Sequence, residues 1–224
     1  MNYFLEMLVV KNLKVKLNSA DKIILDDVSF ELHGGEIMSV SGKNGSGKST
    51  LVQSIMGNPN FEIVSGEITF NGLELNDLTP DARSKLGIFL AFQSPIDIPG
   101  VDIVSFLKVI FEIHHKEKIS VYKIRQVVRE YLEIVELEEN FLNRNLNEGF
   151  SGGERKKFEL LQLLLIKPSL IMLDEVDSGL DKAGVDMAIK VIKDMNVKHK
   201  SSILWITHYE SLVEKLNPNK TIYF

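Results

Sequence analysis

The chain has 224 residues, 44% hydrophobic and 25% charged, a composition typical of a globular protein with a buried core. A net charge of −5 argues against general attraction to nucleic acid or anionic membrane, and the absence of cysteine excludes disulfides and thiolate ligands. No apolar run approaches the roughly 20 residues that span a bilayer, so direct membrane insertion is not expected. The first residues lack a signal-peptide pattern, and either Met1 or Met7 remains open as the start.

Short apolar runs bounded by glycine and polar residues dominate the first ninety residues and predict strands. We expect these strands at Leu8–Leu17, Asp27–Leu32, Glu36–Ser41, Glu67–Phe70 and Leu86–Phe92. HGGE at 33–36 and NGLE at 71–74 predict turns. A helix is expected to begin after Gly47 and to end at Gly57, because apolar residues recur on one face between them.

From residue 102 to about 139 the apolar pattern becomes helical, with a clear i, i+3, i+4, i+7 rhythm at 121–135. Proline and glycine precede this block and NRNLNEG follows it, which predicts an inserted helical subdomain at 94–150. The remainder, 1–93 and 151–224, is expected to form the α/β core, with strands at SLIMLDE and SSILWITH separated by a helix near 181–195. Apolar strands alternating with helices predict an α/β fold with a mostly parallel sheet.

Residues 42–49 read GKNGSGKS and match the phosphate-binding pattern G-x-x-x-x-G-K-[ST] between a predicted strand and a predicted helix. Glycine lets backbone N–H groups turn around a polyphosphate, and the positive end of the next helix faces the same anion. We expect Lys48 to reach the β- and γ-phosphates of ATP and the Ser49 hydroxyl to bind Mg²⁺. The predicted ATP-binding residues of this loop are Gly42, Lys43, Asn44, Gly45, Ser46, Gly47, Lys48, Ser49 and Thr50.

SLIMLDE at 169–175 predicts a strand that ends in two carboxylates, and ligands bind at this end of the strands in parallel sheets. Asp174 is suited to hold Mg²⁺ through its water shell, and Glu175 is suited to act as the general base on the attacking water. An acidic helix cap is the alternative interpretation, since Asp177 or Ser178 could begin a turn.

In their order and spacing these motifs resemble the ATP-binding-cassette family, and the resemblance covers nearly the whole chain. SGGE at 151–154 resembles the family's signature sequence, which opens a helix; the alternative is an ordinary serine cap on an amphipathic helix. The resemblance implies a P-loop NTPase (RecA-like) core with an antiparallel β arm. It also implies a homodimer in which Ser151, Gly152 and Gly153 contact, in trans, the γ-phosphate bound by the other subunit.

Two further residues take their expected roles from this resemblance. Gln93 follows the strand GIFLAF and resembles the family's glutamine loop, which implies a place near ATP and Mg²⁺. His208 follows SILWIT and resembles the switch histidine, which implies contact with the γ-phosphate and a part in orienting the catalytic water. The alternatives are a surface glutamine and a structural histidine.

Within this family the chain is most similar to the SUF-system iron–sulfur cluster assembly ATPases (SufC-like). The stretches that carry the similarity are residues 90–101, 146–162, 173–181 and 206–211. This resemblance implies a cytoplasmic ATPase that drives conformational change in a soluble, cysteine-bearing SufB/SufD-like scaffold. Two alternatives remain: the ATPase subunit of an ABC membrane transporter, and a nucleotide-dependent binding switch with little turnover.

The chain departs from the family pattern where an aromatic residue usually stacks on adenine, because none occurs in LKVKLNSADK at 13–22. We therefore expect aliphatic side chains such as Val15 to hold the adenine, with relaxed nucleotide selectivity. The sequence ends at KTIYF without the hairpin and helix usual in the family, so an exposed edge strand is expected. The basic run at 155–157 is interpreted as the solvated side of a helix.

Overall fold

The computed structural model describes four stretches of the chain, residues 6–91, 98–175, 179–207 and 214–224. Contacts between Cα atoms divide the chain into two compact units. The first unit comprises Met1–Ala91, Ser169–Glu175 and Asn196–Phe224, and the second comprises Phe92–Pro168 and Val176–Met195. The predicted boundaries of the helical insert, 94–150, remain a prediction.

The first unit contains two sheets. Four antiparallel strands form one sheet in the order β2-β1-β4-β5, and five parallel strands form the other in the order β6-β7-β8-β3-β9. The strands are β1 (Glu6–Leu17), β2 (Lys22–His33), β3 (Ile37–Ser41), β4 (Phe61–Phe70), β5 (Leu73–Glu74), β6 (Ile88–Ala91), β7 (Leu170–Asp174), β8 (Ser202–Ile206) and β9 (Lys220–Tyr223). The predicted combination of a parallel sheet with an antiparallel arm is confirmed.

The helices of the described residues are α1 (Lys48–Met56), α2 (Pro80–Lys85), α3 (Ile103–His115), α4 (Val121–Ile134), α5 (Gly152–Ile166) and α6 (Lys182–His199). A short 3-10 helix spans Glu139–Asn143. None of these helices is both long enough and apolar enough to cross a membrane.

Burial explains why the central parallel strands were readily predicted. All five residues of β7 and all five of β8 are buried, as continuous apolar runs require when a sheet is covered on both faces. Strands β2 and β4 begin earlier than predicted, at Lys22 and Phe61. Their first residues are largely charged or exposed on the arm, where Lys16 bridges Asp21 and Glu62 (both 3.2 Å), so apolar periodicity is weak there.

Helices of the second unit begin at residues that cap them. The Asp102 side chain accepts from Ser105 N at the start of α3, and the Ser120 hydroxyl accepts from Lys123 N at the start of α4. The region from 102 to about 139, whose sequence pattern is helical, thus contains α3, α4 and the start of the 3-10 helix. Lys116 closes α3 in a left-handed conformation with φ 54°.

The connection between α3 and α4 is held by one carboxylate. Glu112 Oε1 accepts from Lys108 Nζ (2.7 Å) and from Ile119 N (3.2 Å), and Oε2 accepts from Lys118 Nζ (2.9 Å). These bonds, with that from Lys108 the strongest, lower the pKa of Glu112 to about 2.

Glu112 is expected to make the stability of the fold depend on pH. Because its pKa is lower in the folded chain than in the unfolded chain, its stabilising contribution is complete above about pH 4.5 and is lost as the pH falls toward 2. Thermal unfolding of Glu112→Gln and of the unsubstituted chain should give melting temperatures that differ at pH 7 and converge below pH 3. A difference that stays constant from pH 7 to pH 3 would contradict this.

Candidate nucleotide-binding site

The phosphate loop lies between the end of β3 and the start of α1, as its sequence predicts. Gly47 has φ 103° and caps the amino terminus of α1, and Gly45 has φ 80°. A Cβ atom on Gly47 would lie 2.7 Å from Leu25 Cδ2, so this position requires glycine for space as well as for conformation. The loop thus keeps the start of α1 open toward an anion.

Lys48 is held inside the loop that precedes it. Its ammonium group donates to the carbonyl oxygens of Gly42 (2.9 Å) and Lys43 (2.8 Å), and the residue is only 5% exposed. The Ser46 hydroxyl oxygen is buried and has no hydrogen-bond partner among the described residues. A buried cation and an unpartnered hydroxyl in a glycine-rich loop suit a phosphate ligand, which accepts from both.

Ser49 and Asp174 meet although 125 residues separate them in the chain. The Ser49 hydroxyl donates to Asp174 Oδ1 at 2.9 Å, and Asp174, at the end of β7, is 2% exposed. Glu175 follows with a left-handed backbone (φ 52°), and its N–H donates to the Ile206 carbonyl at the end of β8 (3.1 Å). The parallel sheet therefore brings the predicted carboxylates and the phosphate loop to the same unit of the chain.

In the second unit, Ser151 caps helix α5 through a reciprocal pair of hydrogen bonds. The Ser151 hydroxyl accepts from Glu154 N (3.1 Å), and Glu154 Oε2 accepts from Ser151 N (2.8 Å). The bond from Ser151 N is the main reason that the pKa of Glu154 is lowered. An added Cβ on Gly152 would meet no atom within 4 Å, so this helix start is sterically open.

A cavity of about 480 Å³ adjoins this helix start, and Ser151, Gly153, Glu154, Arg144 and Asp181 are among the residues that line it. Arg144 was not identified from the sequence. It donates to Glu154 Oε1 (2.7 Å) and thus contacts the residue that caps the signature helix. No sequence signal indicates this contact, because an isolated arginine in a polar segment is ordinarily a surface residue.

Two sequence interpretations are wrong. Val15 is fully buried in the core of the first unit and therefore has no exposed surface to offer to adenine. Lys156 does not lie on a solvated helix side; it is 3% exposed and pairs with buried Glu159, with 3.3 Å between Nζ and Oε2. Gln93 and His208 lie outside the described residues, so their predicted roles remain predictions.

A strand-to-helix phosphate loop whose serine is hydrogen-bonded to a buried aspartate defines the class of P-loop nucleotide-binding proteins. The family model described as "ABC transporter" matches residues 25–178, which contain the phosphate loop, the signature sequence and both carboxylates. The chain belongs to this family. It is an ATP-binding protein and an ATPase of the ATP-binding-cassette class.

Two curated relatives illustrate the similarity. "Probable ATP-dependent transporter ycf16" of Trieres chinensis is 41% identical over 223 residues, which cover 98% of this chain and 88% of the relative. "ABC transporter I family member 6, chloroplastic" of Arabidopsis thaliana is 39% identical over 95% of this chain and 64% of the relative.

A solved structure supports the fold assignment. The dimeric post-hydrolysis structure of the ATP-binding cassette MJ0796 bound to ADP and Pi matches with a TM-score of 0.84 at 24% sequence identity. The match covers 97% of this chain and 94% of the MJ0796 chain.

Proposed function

We propose that two copies of this chain bind two molecules of ATP between them, each phosphate loop facing the partner's Ser151, Gly152 and Gly153. The observation that carries this proposal is the capped but sterically open start of α5. Its backbone N–H groups and the positive end of its helix suit a phosphate that the chain's own loop does not enclose.

Mg²⁺ fits the Ser49–Asp174 pair, because a hydroxyl and a carboxylate are the hard oxygen donors that this ion prefers. We propose that Ser49 binds the ion directly, that Asp174 holds it through its water shell, and that Gln93 contributes a further oxygen. When bound, Mg²⁺ would supply positive charge that offsets the negative charge of the triphosphate.

Catalysis in this proposal depends mainly on positioning and charge compensation. Lys48 offsets the charge of the β- and γ-phosphates, Glu175 accepts a proton from the attacking water, and His208 orients that water. Dimer closure brings the signature amides to the γ-phosphate, and phosphate release reopens the dimer.

Gly152 allows this pairing to be tested without disturbing the monomer. An added side chain meets open space, and an aspartate near a helix amino terminus stabilises the helix. The same carboxylate would face the partner's triphosphate, so Gly152→Asp should weaken ATP-dependent dimerisation about 100-fold, equivalent to about 2.8 kcal/mol. Sedimentation velocity with Mg²⁺ and a non-hydrolysable ATP analogue measures this.

Gly152→Ala is the matched control and should dimerise nearly as well as the unsubstituted chain. Nucleotide binding by the monomer should be unchanged in both variants, and neither variant should have a lower melting temperature than the unsubstituted chain. Equal dimerisation of the aspartate variant would contradict the pairing. An unsubstituted chain that never pairs on nucleotide, even with its co-purifying partner, would contradict the proposed function itself.

We infer that this ATPase works in one of two kinds of assembly, with a membrane transporter or with a soluble scaffold protein. The relatives' names, "ATP-dependent transporter" and "ABC transporter", favour the ATPase subunit of a membrane transporter. The SufC-like stretches at 90–101 and 146–162 instead favour a cytoplasmic ATPase that remodels a SufB/SufD-like scaffold for iron–sulfur cluster assembly.

Co-purification of the tagged chain from its native cells separates these assemblies. A multi-spanning membrane protein in the eluate would support the transporter, and a cysteine-rich scaffold without membrane segments would support cluster assembly. A complex that requires ATP but persists unchanged without turnover would instead indicate a binding switch.

A further inference from the structure

Glu154 creates an electrostatic problem for the proposed trans site. Its carboxylate lies at the third position of α5 and is bonded to the amide of Ser151 (2.8 Å), the residue proposed to meet the partner's γ-phosphate. An uncompensated negative charge so near a triphosphate would oppose dimer closure.

Arg144 supplies the compensating charge. Its Nη1 donates to Glu154 Oε1 at 2.7 Å, while Oε2 of the same carboxylate is engaged by Ser151 N. Each carboxylate oxygen therefore has its own donor, and the pair is two-thirds buried, with both side chains 33% exposed. Such a pair is less screened by solvent than a fully exposed one.

The Arg144 guanidinium is fixed from several sides. Nη2 donates to the Gly149 carbonyl (2.8 Å), and Cζ lies 4.6 Å from the ring centre of Phe150 and 5.2 Å from that of Phe141. The backbone carbonyl of Arg144 accepts from Ile103 N (3.2 Å). An arginine held by aromatic faces and a carbonyl has lost most of its freedom before it pairs with a carboxylate.

We propose that Arg144 is a positioning residue for ATP-dependent closure, which neutralises Glu154 and keeps the cap of the signature helix aligned toward the partner's ATP. The Ser151 oxygen accepts from Glu154 N (3.1 Å), so its hydroxyl hydrogen stays available to donate to a phosphate oxygen. This inference rests on the proposed trans contact.

Charge neutralisation and simple structural support predict different results in a double-mutant cycle. Glutamine at 154 still offers an oxygen to Ser151 N, as in the common form of this cap, but carries no charge. If Arg144 acts by neutralising Glu154, then Arg144→Met should be harmful only while the carboxylate is present. If Arg144 only supports the loop, removal of the carboxylate should not rescue the variant.

The experiment compares Arg144→Met, Glu154→Gln and the double variant. Arg144→Met should raise the ATP concentration for half-maximal activity and for half-maximal dimerisation about tenfold, with little change in kcat. In the double variant, the ATP concentrations for half-maximal activity and half-maximal dimerisation should be close to those of Glu154→Gln. Raising the salt concentration to about 0.5 M should reduce the Arg144→Met defect by screening the unpaired charge.

Arg129→Met is the matched control, because Arg129 pairs with Glu139 on the exposed surface of the same unit (Nε–Oε1, 2.9 Å). Arg129→Met should leave the dependence of activity and of dimerisation on ATP concentration unchanged. A double variant as impaired as Arg144→Met, or an Arg144→Met chain with normal ATP dependence, would overturn the inference. Absence of nucleotide-driven pairing in the unsubstituted chain would instead refute the proposed function.

Discussion

Replacing Glu175 by glutamine is expected to lower kcat by about 10²–10⁴-fold, the usual contribution of a general base, while ATP binding and ATP-dependent dimerisation persist. Glutamine has nearly the same size but cannot accept a proton from water. Glu175 directly follows Asp174, which bonds to Ser49 of the phosphate loop at 2.9 Å. Its left-handed backbone, φ 52°, is the kind of strained conformation that recurs at functional positions.

Single-turnover and steady-state measurements of ATP hydrolysis with Mg²⁺ test this prediction. Equilibrium binding of ATP shows separately whether the phosphate loop still binds nucleotide. Glu130→Gln is a suitable control, because this exposed carboxylate lies on α4. A Glu175→Gln chain that hydrolyses ATP at the original rate would remove Glu175 from the role of base. Loss of ATP binding instead would indicate that the carboxylate supports the site rather than the chemistry.

The parts of the fold that the sequence predicted well are those whose physics is local. The helix after Gly47 begins at Lys48 and is followed by its closing cap, Gly57, because glycine punctuation and apolar spacing act over a few residues. The buried strands β7 and β8 agree with their apolar runs for the same reason.

Prediction from the sequence was wrong where contacts between residues far apart in the chain decide whether a side chain is buried. The sequence analysis predicts that Val15 contacts adenine, but this side chain is enclosed by the core of the first unit. Lys156 belongs to a basic run, yet its ammonium is buried beside Glu159 (3.3 Å). The sequence does not show whether a lysine has a buried ion-pair partner, and the periodicity of apolar residues alone assigns charged residues to the solvent-exposed face.

Pairing between two stretches singled out in the sequence became visible only in the structure. Leu146 N donates to the Val101 carbonyl (2.8 Å), and Ile98 N donates to the Leu146 carbonyl (3.2 Å). The segment that precedes the signature helix is therefore bonded to the segment at the start of the helical region. Backbone bonds of this kind depend on topology and not on side-chain type, so no motif predicts them.

Substitution of Gly47 by alanine is expected to weaken nucleotide binding on the order of 100-fold, whereas Gly45→Ala should weaken it less than about tenfold. Both glycines have positive φ (103° and 80°), so both variants incur roughly 1–2 kcal/mol of backbone strain. An added Cβ at Gly47 also lies 2.7 Å from Leu25 Cδ2, whereas at Gly45 it meets nothing within 4 Å. Because Leu25 is 1% exposed, it has no room to move, and the start of α1 must shift together with Lys48. Calorimetric titration with ATP measures the affinities of the two variants. Equal losses of ATP affinity would mean that backbone conformation alone sets the requirement for glycine, and that the close approach of Gly47 to the core does not contribute.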